Sequence, residues 1–123
     1  MSIRKLLTAM TLLALLPAAA LAADISGNWT ASFDTSIGPQ QYAYTFVVKD
    51  GKLTGKAKNA TSESDLHEGK VEGDVVSFVE NFNYQGQVVK ISYAGKVVSG
   101  DEIQFTRDVM GMAKEEMVAK RAK

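Results

Sequence analysis

Apolar side chains at every second position are the feature that most restricts how this chain folds. In the segment YAYTFVVK, Tyr42, Tyr44, Phe46 and Val48 share one face and the intervening residues share the other. A period of two is typical of a β-strand with one face on a core and the other in water. The same pattern assigns inward faces to Trp29, Ala31 and Phe33; to Val76, Phe78 and Phe82; to Val89, Ile91, Tyr93 and Val97; and to Ile103, Phe105 and Val109.

Seven turn-forming segments separate the alternating stretches. The strongest is Asp50-Gly51, because both residues tolerate the positive φ of a type I′ hairpin. The turns recur about every 10–14 residues, which leaves no room for crossover helices and predicts an antiparallel meander of eight strands. The seven segments are SIGPQ, KDGK, NATS, EGD, YQGQ, SGD and MGM.

Two segments fit the alternation less simply. Leu66 and Val71 are an odd number of residues apart, so a β-bulge at Gly69 is needed to turn both inward. The tail AKEEMVAKRAK has helical propensity, but without an eighth strand the first strand would keep an unpaired edge. We therefore predict an all-β, eight-stranded antiparallel up-and-down barrel, which closes on itself and leaves an interior for side chains or one small ligand.

The first 22 residues are typical of a cleavable signal peptide. Arg4 and Lys5 precede an apolar run, and Ala20-Leu21-Ala22 matches a small-residue cleavage site. We expect cleavage after Ala22, a barrel domain over residues 23–123, and a periplasmic or secreted protein with no membrane span in its mature form. The chain has 14 basic and 14 acidic residues and no basic patch, which argues against nucleic acid as a partner.

The motif SGNWT, followed by DGKLTGKAK, resembles the start of the calycin group, which comprises lipocalins, fatty-acid-binding proteins and avidins. The resemblance implies that Gly27 and Trp29 plug the closed end of the barrel and that Arg121 packs over the indole. EGKVEGDVVSFVE and GDEIQFTRDV are also similar to short exported bacterial modules that occur alone or appended to glycoside hydrolases. The short first loop excludes a helical lid, and the single tryptophan argues against biotin.

Two charged residues share inward faces with aromatic residues. Glu80 has the phase of Phe78 and Phe82, and Arg107 has the phase of Phe105. Tyr93, on the strand between them, is placed to meet both. Because a buried unpaired charge is costly, we expect either a structural ion pair that fixes the register or an arginine that holds a ligand carboxylate, as in fatty-acid-binding proteins.

The remaining inward aromatics are consistent with a plain core or with a mixed apolar and polar pocket. Buried tyrosine hydroxyls need partners, and only Leu53 and Leu66 represent leucine after residue 22, which favours a cavity over a fully packed centre. The predicted ligand-binding residues are Arg107, Tyr93, Glu80, Tyr44, Tyr42, Phe78 and Phe105.

Catalysis, cofactors and metals have little support in the sequence. No nucleophile, base and acid have a spacing that favours an enzyme, and no glycine loop is typical of phosphate binding. The single histidine, His67, has the outward phase, and one histidine without cysteine cannot build a structural zinc site. We therefore expect no enzyme activity, no cofactor and no metal.

The sequence is compatible with three functions. The first is an exported barrel that binds a small, partly apolar ligand, with an anion as one option for its polar end. The second is a protein-interaction module, such as an exported hydrolase inhibitor, which predicts an outward apolar patch of Val47, Val75, Val79 and Val88. The third is a carbohydrate-binding accessory module, for which Tyr84 is the candidate stacking platform.

Overall fold

The computed structural model describes residues 22–122. They form a closed barrel in which each strand pairs with its neighbours in sequence and the last strand pairs with the first. This confirms the predicted all-β, up-and-down barrel, including the strand at the C-terminal end. The strands are β1 (Gly27–Thr35), β2 (Gly38–Lys49), β3 (Lys52–Lys58), β4 (Glu63–Glu72), β5 (Val75–Tyr84), β6 (Gln87–Ser99), β7 (Glu102–Val109) and β8 (Ala113–Arg121).

The predicted signal peptide falls mostly outside this range, because residues 1–21 lie outside the described residues. Within residues 22–122, no helix is long and apolar enough to cross a membrane.

The Asp50-Gly51 hairpin has the backbone geometry that its sequence predicts, and a second hairpin has the same geometry. Asp50 and Gly51 connect β2 to β3 with φ angles of 53° and 77°, and Gln85 and Gly86 connect β5 to β6 with φ angles of 52° and 82°. Paired positive φ angles are the signature of the type I′ turn, whose twist matches that of the flanking strands.

The predicted bulge in β4 is confirmed, and its two residues have different roles. His67 pairs with Val79, but the next pair is Lys70 with Ser77, so β4 contains one extra residue. Glu68 takes the positive φ of 52°. Gly69 provides space instead, since a Cβ atom there would lie 2.0 Å from the carbonyl oxygen of Leu53.

The two ends of the barrel differ. We call the end that carries the connections after β1, β3, β5 and β7 the mouth, and the opposite end the closed end. From the closed end to the middle of the barrel the interior is filled by side chains that exclude water almost completely. The largest are Trp29, Tyr44, Phe46, Phe78 and Phe105.

The tryptophan and the last arginine of β8 seal the closed end. The Arg121 guanidinium carbon lies 4.6 Å from the centre of the Trp29 ring, and its Nη1 donates to the carbonyl oxygen of Ser26 at 2.8 Å. The Trp29 Nε1 donates to the carbonyl oxygen of Ile25 at 2.8 Å. Gly27 has a φ of 133°, which residues with a Cβ atom rarely adopt, and a Cβ atom there would also come within 2.9 Å of Arg121 Nη1.

The seam between β1 and β8 is paired only near the closed end. The register contains two pairs, Trp29 with Arg121 and Thr30 with Lys120, whereas β1 and β2 pair along the whole of β1. Towards the mouth, residues 31–35 of β1 and 113–119 of β8 have no ladder partner across the seam. A shallow cleft follows this stretch, with Phe33 on one side and Met117 on the other.

Candidate functional site

A cavity of about 200 Å³ opens at the mouth of the barrel. Its wall combines inward side chains from the ends of β5, β6 and β7 with side chains from the connection between β7 and β8. The apolar wall consists of Phe82, Val89, Ile91, Val109, Met110 and Met112. Pockets with a mainly apolar wall and a few convergent polar groups are typical of small-molecule sites.

The rim of the cavity is also largely apolar. Ile37, Met110 and Met112 are exposed there, on the connections after β1 and β7. Tyr84 is 38% exposed and stacks on Phe82, with ring centres 6.1 Å apart and planes 22° from parallel. The mouth therefore presents an aromatic and methionine-lined entrance to solvent.

The floor of the cavity contains an ion pair between Arg107 and Glu115. Cross-strand register places Glu115 on β8 directly opposite Arg107 on β7, and Arg107 Nη1 donates to Glu115 Oε1. Their side chains are 3% and 10% exposed. On the inner side, Arg107 Nη2 lies 3.6 Å from Glu80 Oε1, so one guanidinium lies between two carboxylates.

Tyrosine hydroxyls surround Glu80 and connect it to the arginine. Tyr42 and Tyr93 donate to the two carboxylate oxygens of Glu80, each at 2.7 Å. Arg107 Nε donates to the Tyr93 hydroxyl at 2.8 Å, and the Tyr44 and Tyr93 hydroxyls are 2.8 Å apart. Both oxygens of this buried carboxylate are therefore satisfied, as a buried charge requires.

The surroundings keep these tyrosines neutral. Burial raises the pKa of Tyr44 and of Tyr93 well above the usual value. Burial, together with the adjacent Glu80 carboxylate, also raises the pKa of Tyr42. The hydroxyls therefore keep their protons and act as donors at neutral pH, and the charge of the floor comes from Arg107 and the two glutamates.

Aromatic rings enclose the guanidinium of Arg107. Its central carbon lies 4.6 Å from the ring centre of Phe33 and 5.2 Å from those of Tyr42 and Tyr93. Nε and Nη1 donate to Tyr93 and Glu115, and Nη2 is 3.4 Å from the Tyr42 hydroxyl. Each guanidinium nitrogen therefore has a protein partner, and the expected ion pair of Arg107 with Glu80 is present at 3.6 Å beside a closer pair with Glu115.

The predicted site residues lie in one contiguous cluster, but at different depths. Arg107 and Tyr42 line the cavity. Glu80, Tyr44 and Tyr93 lie behind them in the hydrogen-bonded network, within the buried part of the barrel.

The two predicted phenylalanines lie deeper still. Phe78 and Phe105 pack edge to face in the core, with ring centres 5.6 Å apart. The space for a ligand is therefore at the mouth and not in the barrel centre.

Sequence reasoning missed Glu115. The signal was present, because Glu115 has the same phase in β8 as the buried residues Met117 and Ala119. Predicting the tail as a strand without assigning its inward face leaves Glu115 out of the predicted site, although Glu115 lies opposite Arg107 on the neighbouring strand.

The predicted outward valine patch does not form. Val47 lies on β2, which is not adjacent to β5, and Ser77 separates Val75 from Val79 along β5. Val88 lies near the mouth end of β6. The valines point outward as predicted, but polar residues and intervening strands keep them apart.

His67 is exposed on the outer face of β4, as its phase predicts. Among residues 22–122, no three histidine, cysteine, aspartate or glutamate side chains are arranged to hold a metal ion.

Comparison with known proteins gives no relative: no protein-family model, curated protein or solved structure matches this chain.

Proposed function

We propose that this barrel binds a small, partly apolar molecule at its mouth and does not catalyse a reaction. The observation that carries this proposal is the cavity of about 200 Å³, with its apolar wall and its buried charged floor. The cavity brings apolar side chains and the Glu115 carboxylate together around one small open space, a combination that is typical of small-molecule sites.

The size of the cavity limits the ligand. Sites for drug-sized molecules have volumes of roughly 300–1,000 Å³. A cavity of about 200 Å³ fits a molecule of a few heavy atoms, or one end of a longer molecule that extends past the rim. The exposed Met110 and Met112 side chains would contact such an extension.

The floor of the cavity favours a ligand that contacts Glu115 over one that contacts Arg107. Every nitrogen of Arg107 already has a protein partner, so a ligand carboxylate would compete with Glu115 and would add a third carboxylate to the floor. The geometry of the floor therefore supports an anionic ligand less well than a ligand without a negative charge.

No specific observation supports either of the two alternative functions. The outward valines are dispersed, and the Tyr84 ring belongs to the cavity rim instead of a separate platform. The hydrolase-inhibitor and carbohydrate-binding functions, like export itself, stay predictions.

Native mass spectrometry of the purified protein tests the proposal, followed by a fragment screen with small apolar compounds. We expect a co-purified or added small molecule to bind the native protein and to be lost from Val89→Trp, which fills the cavity. The control is Val88→Trp, since this neighbour points outward and is exposed. A screen without any binder, or equal binding by both variants in folded form, would contradict the proposal.

A further inference from the structure

The floor of the mouth cavity has one more negative charge than positive charge. Glu80 and Glu115 supply two carboxylates, and Arg107 supplies one guanidinium. Arg107 is the only cation among the residues that line the cavity in the described chain. The nearest basic neighbour in sequence, Lys114, belongs to the outer face of β8 and is exposed. The protein therefore leaves a negative charge next to the cavity uncompensated.

One oxygen of Glu115 is available to a ligand. Its Oε1 accepts from Arg107, whereas its Oε2 accepts no hydrogen bond from the described residues. The side chain is nine-tenths buried and lines the cavity. A buried carboxylate oxygen gains most from a charged hydrogen-bond donor, because such bonds are about twice as strong as neutral ones.

The aromatic lining is suited to the same kind of ligand. Tyr42, Phe82 and Tyr84 contribute ring surfaces to the cavity, and the last two are stacked on one another. The face of an aromatic ring attracts a cation within about 6 Å, and this attraction is stronger where water is excluded. A ligand anion would gain nothing from these faces and would be repelled by the excess carboxylate.

We infer that the mouth cavity selects a small organic cation, an amine or alkylammonium group on a short apolar body, which pairs with Glu115. This inference rests on the proposed binding function and specifies its ligand class. The cation brings the floor to charge balance, its apolar body contacts the wall formed by Ile91 and Val109, and its size is limited by the cavity.

A series of ligands with the same apolar chain tests the inference. Binding of n-butylammonium, 1-butanol and butyrate is measured at neutral pH by calorimetry or by NMR titration. We expect n-butylammonium to bind at least about 10-fold more tightly than 1-butanol, and butyrate to bind most weakly. In Glu115→Gln the preference of n-butylammonium over 1-butanol should disappear.

The matched control is Glu116→Gln. Glu116 is the next residue on β8 and points outward, where Thr106 donates to its carboxylate. This variant removes the same charge outside the cavity, so the order of the binding affinities of the three ligands should not change.

The outcomes separate the inference from the proposed function. Equal binding of 1-butanol and n-butylammonium, or tightest binding of butyrate, would overturn the inference and leave a binding barrel. Absence of binding by all three would count against both. If Glu115→Gln does not fold, the affinities of the three ligands for the unaltered protein still show whether the cavity prefers a cation.

Discussion

Arg107 and Glu115 stand directly opposite one another on β7 and β8, and their ion pair forms the floor of the mouth cavity. On its other side the same arginine reaches Glu80, which two tyrosines hold in place. The polar interior is therefore continuous from the packed core to the cavity. A ligand that contacts Glu115 would contact the outermost member of a network that also maintains the fold.

Removing the arginine should destabilise the barrel strongly. Arg107→Met leaves two buried carboxylates without their cation, and breaking a buried ion pair in this way costs about 3–5 kcal/mol. Urea denaturation measures the loss in unfolding free energy. The control is Lys56→Met, which breaks the exposed Lys56–Asp65 pair and should leave the stability essentially unchanged. A small effect of Arg107→Met, equal to that of the control, would show that the network does not stabilise the fold.

Stability should fall steeply in alkaline solution. Tyr42, Tyr44 and Tyr93 have pKa values raised above 10.0 in the folded protein, so above about pH 10 they ionise in the unfolded chain first. Their contribution to the free energy of unfolding is complete below that pH and decreases as the pH rises. Each contributes a slope of about 1.4 kcal/mol per pH unit, or about 4 kcal/mol per pH unit for the three together.

Urea denaturation at a series of alkaline pH values measures this slope, and Tyr44→Phe should reduce it by about one third. Absorbance of ionised tyrosine provides the second readout. Ionisation of these three residues before the barrel unfolds would contradict the assignment.

The bulge in β4 predicts effects of different size for substitutions at two neighbouring residues. Gly69→Ala should destabilise the protein by more than about 2 kcal/mol, because the new Cβ meets the carbonyl oxygen of Leu53 at 2.0 Å. Glu68→Gly should change stability by less than about 1 kcal/mol, because it relieves a positive φ while it loosens the unfolded chain. Thermal denaturation compares the stability of the two variants. A larger loss of stability in Glu68→Gly than in Gly69→Ala would contradict the assignment of the spatial requirement to Gly69.

The seal at the closed end should depend on the shape of the arginine side chain and not only on its charge. Arg121→Lys keeps the charge but loses the planar stack on Trp29 and the bond to Ser26, at a cost of about 1–3 kcal/mol. Trp29 is the single tryptophan, so its fluorescence follows both unfolding and any entry of water at this end. Unchanged stability and emission in Arg121→Lys would show that the stack contributes nothing.

The unpaired stretch of the seam should open before the rest of the barrel. Backbone amides of residues 31–35 and 113–119 that point across the seam lack ladder partners, whereas β5 and β6 pair along nearly their full length. Hydrogen exchange followed by NMR should find fast exchange at these amides and slow exchange in β5 and β6. Equal protection on both sides of the barrel would contradict this description of the seam.

The fold could be predicted from the sequence because its signals are local. Alternation of the kind seen in Tyr42, Tyr44 and Phe46 needs no knowledge of the partner strands, and Asp50-Gly51 specifies its own turn geometry. The odd spacing of Leu66 and Val71 predicted the bulge for the same reason. It did not show that Glu68 would take the strained backbone conformation, since that depends on how closely Gly69 approaches Leu53 on the neighbouring strand.

The site was harder to predict because it depends on register. The phases of Glu80 and Arg107 predict that both point inward, and both are buried. That Arg107 faces Glu115 follows only from the pairing of β7 with β8, which the length of the Met110–Met112 connection sets. The depth to which side chains fill the barrel is likewise a matter of packing, so the position of the cavity at the mouth could not be predicted from residue types alone.

The most direct test of the account is an NMR titration that observes the methionine methyl groups. Met110 and Met112 line the mouth cavity, and Met117 lies below it, buried near the Tyr44 hydroxyl. The account predicts that 1-butanol or n-butylammonium shifts the Met110 and Met112 signals saturably and leaves the Met117 signal in place. Shifts confined to Met117, or no saturable shift at any of the three, would contradict a binding site at the mouth.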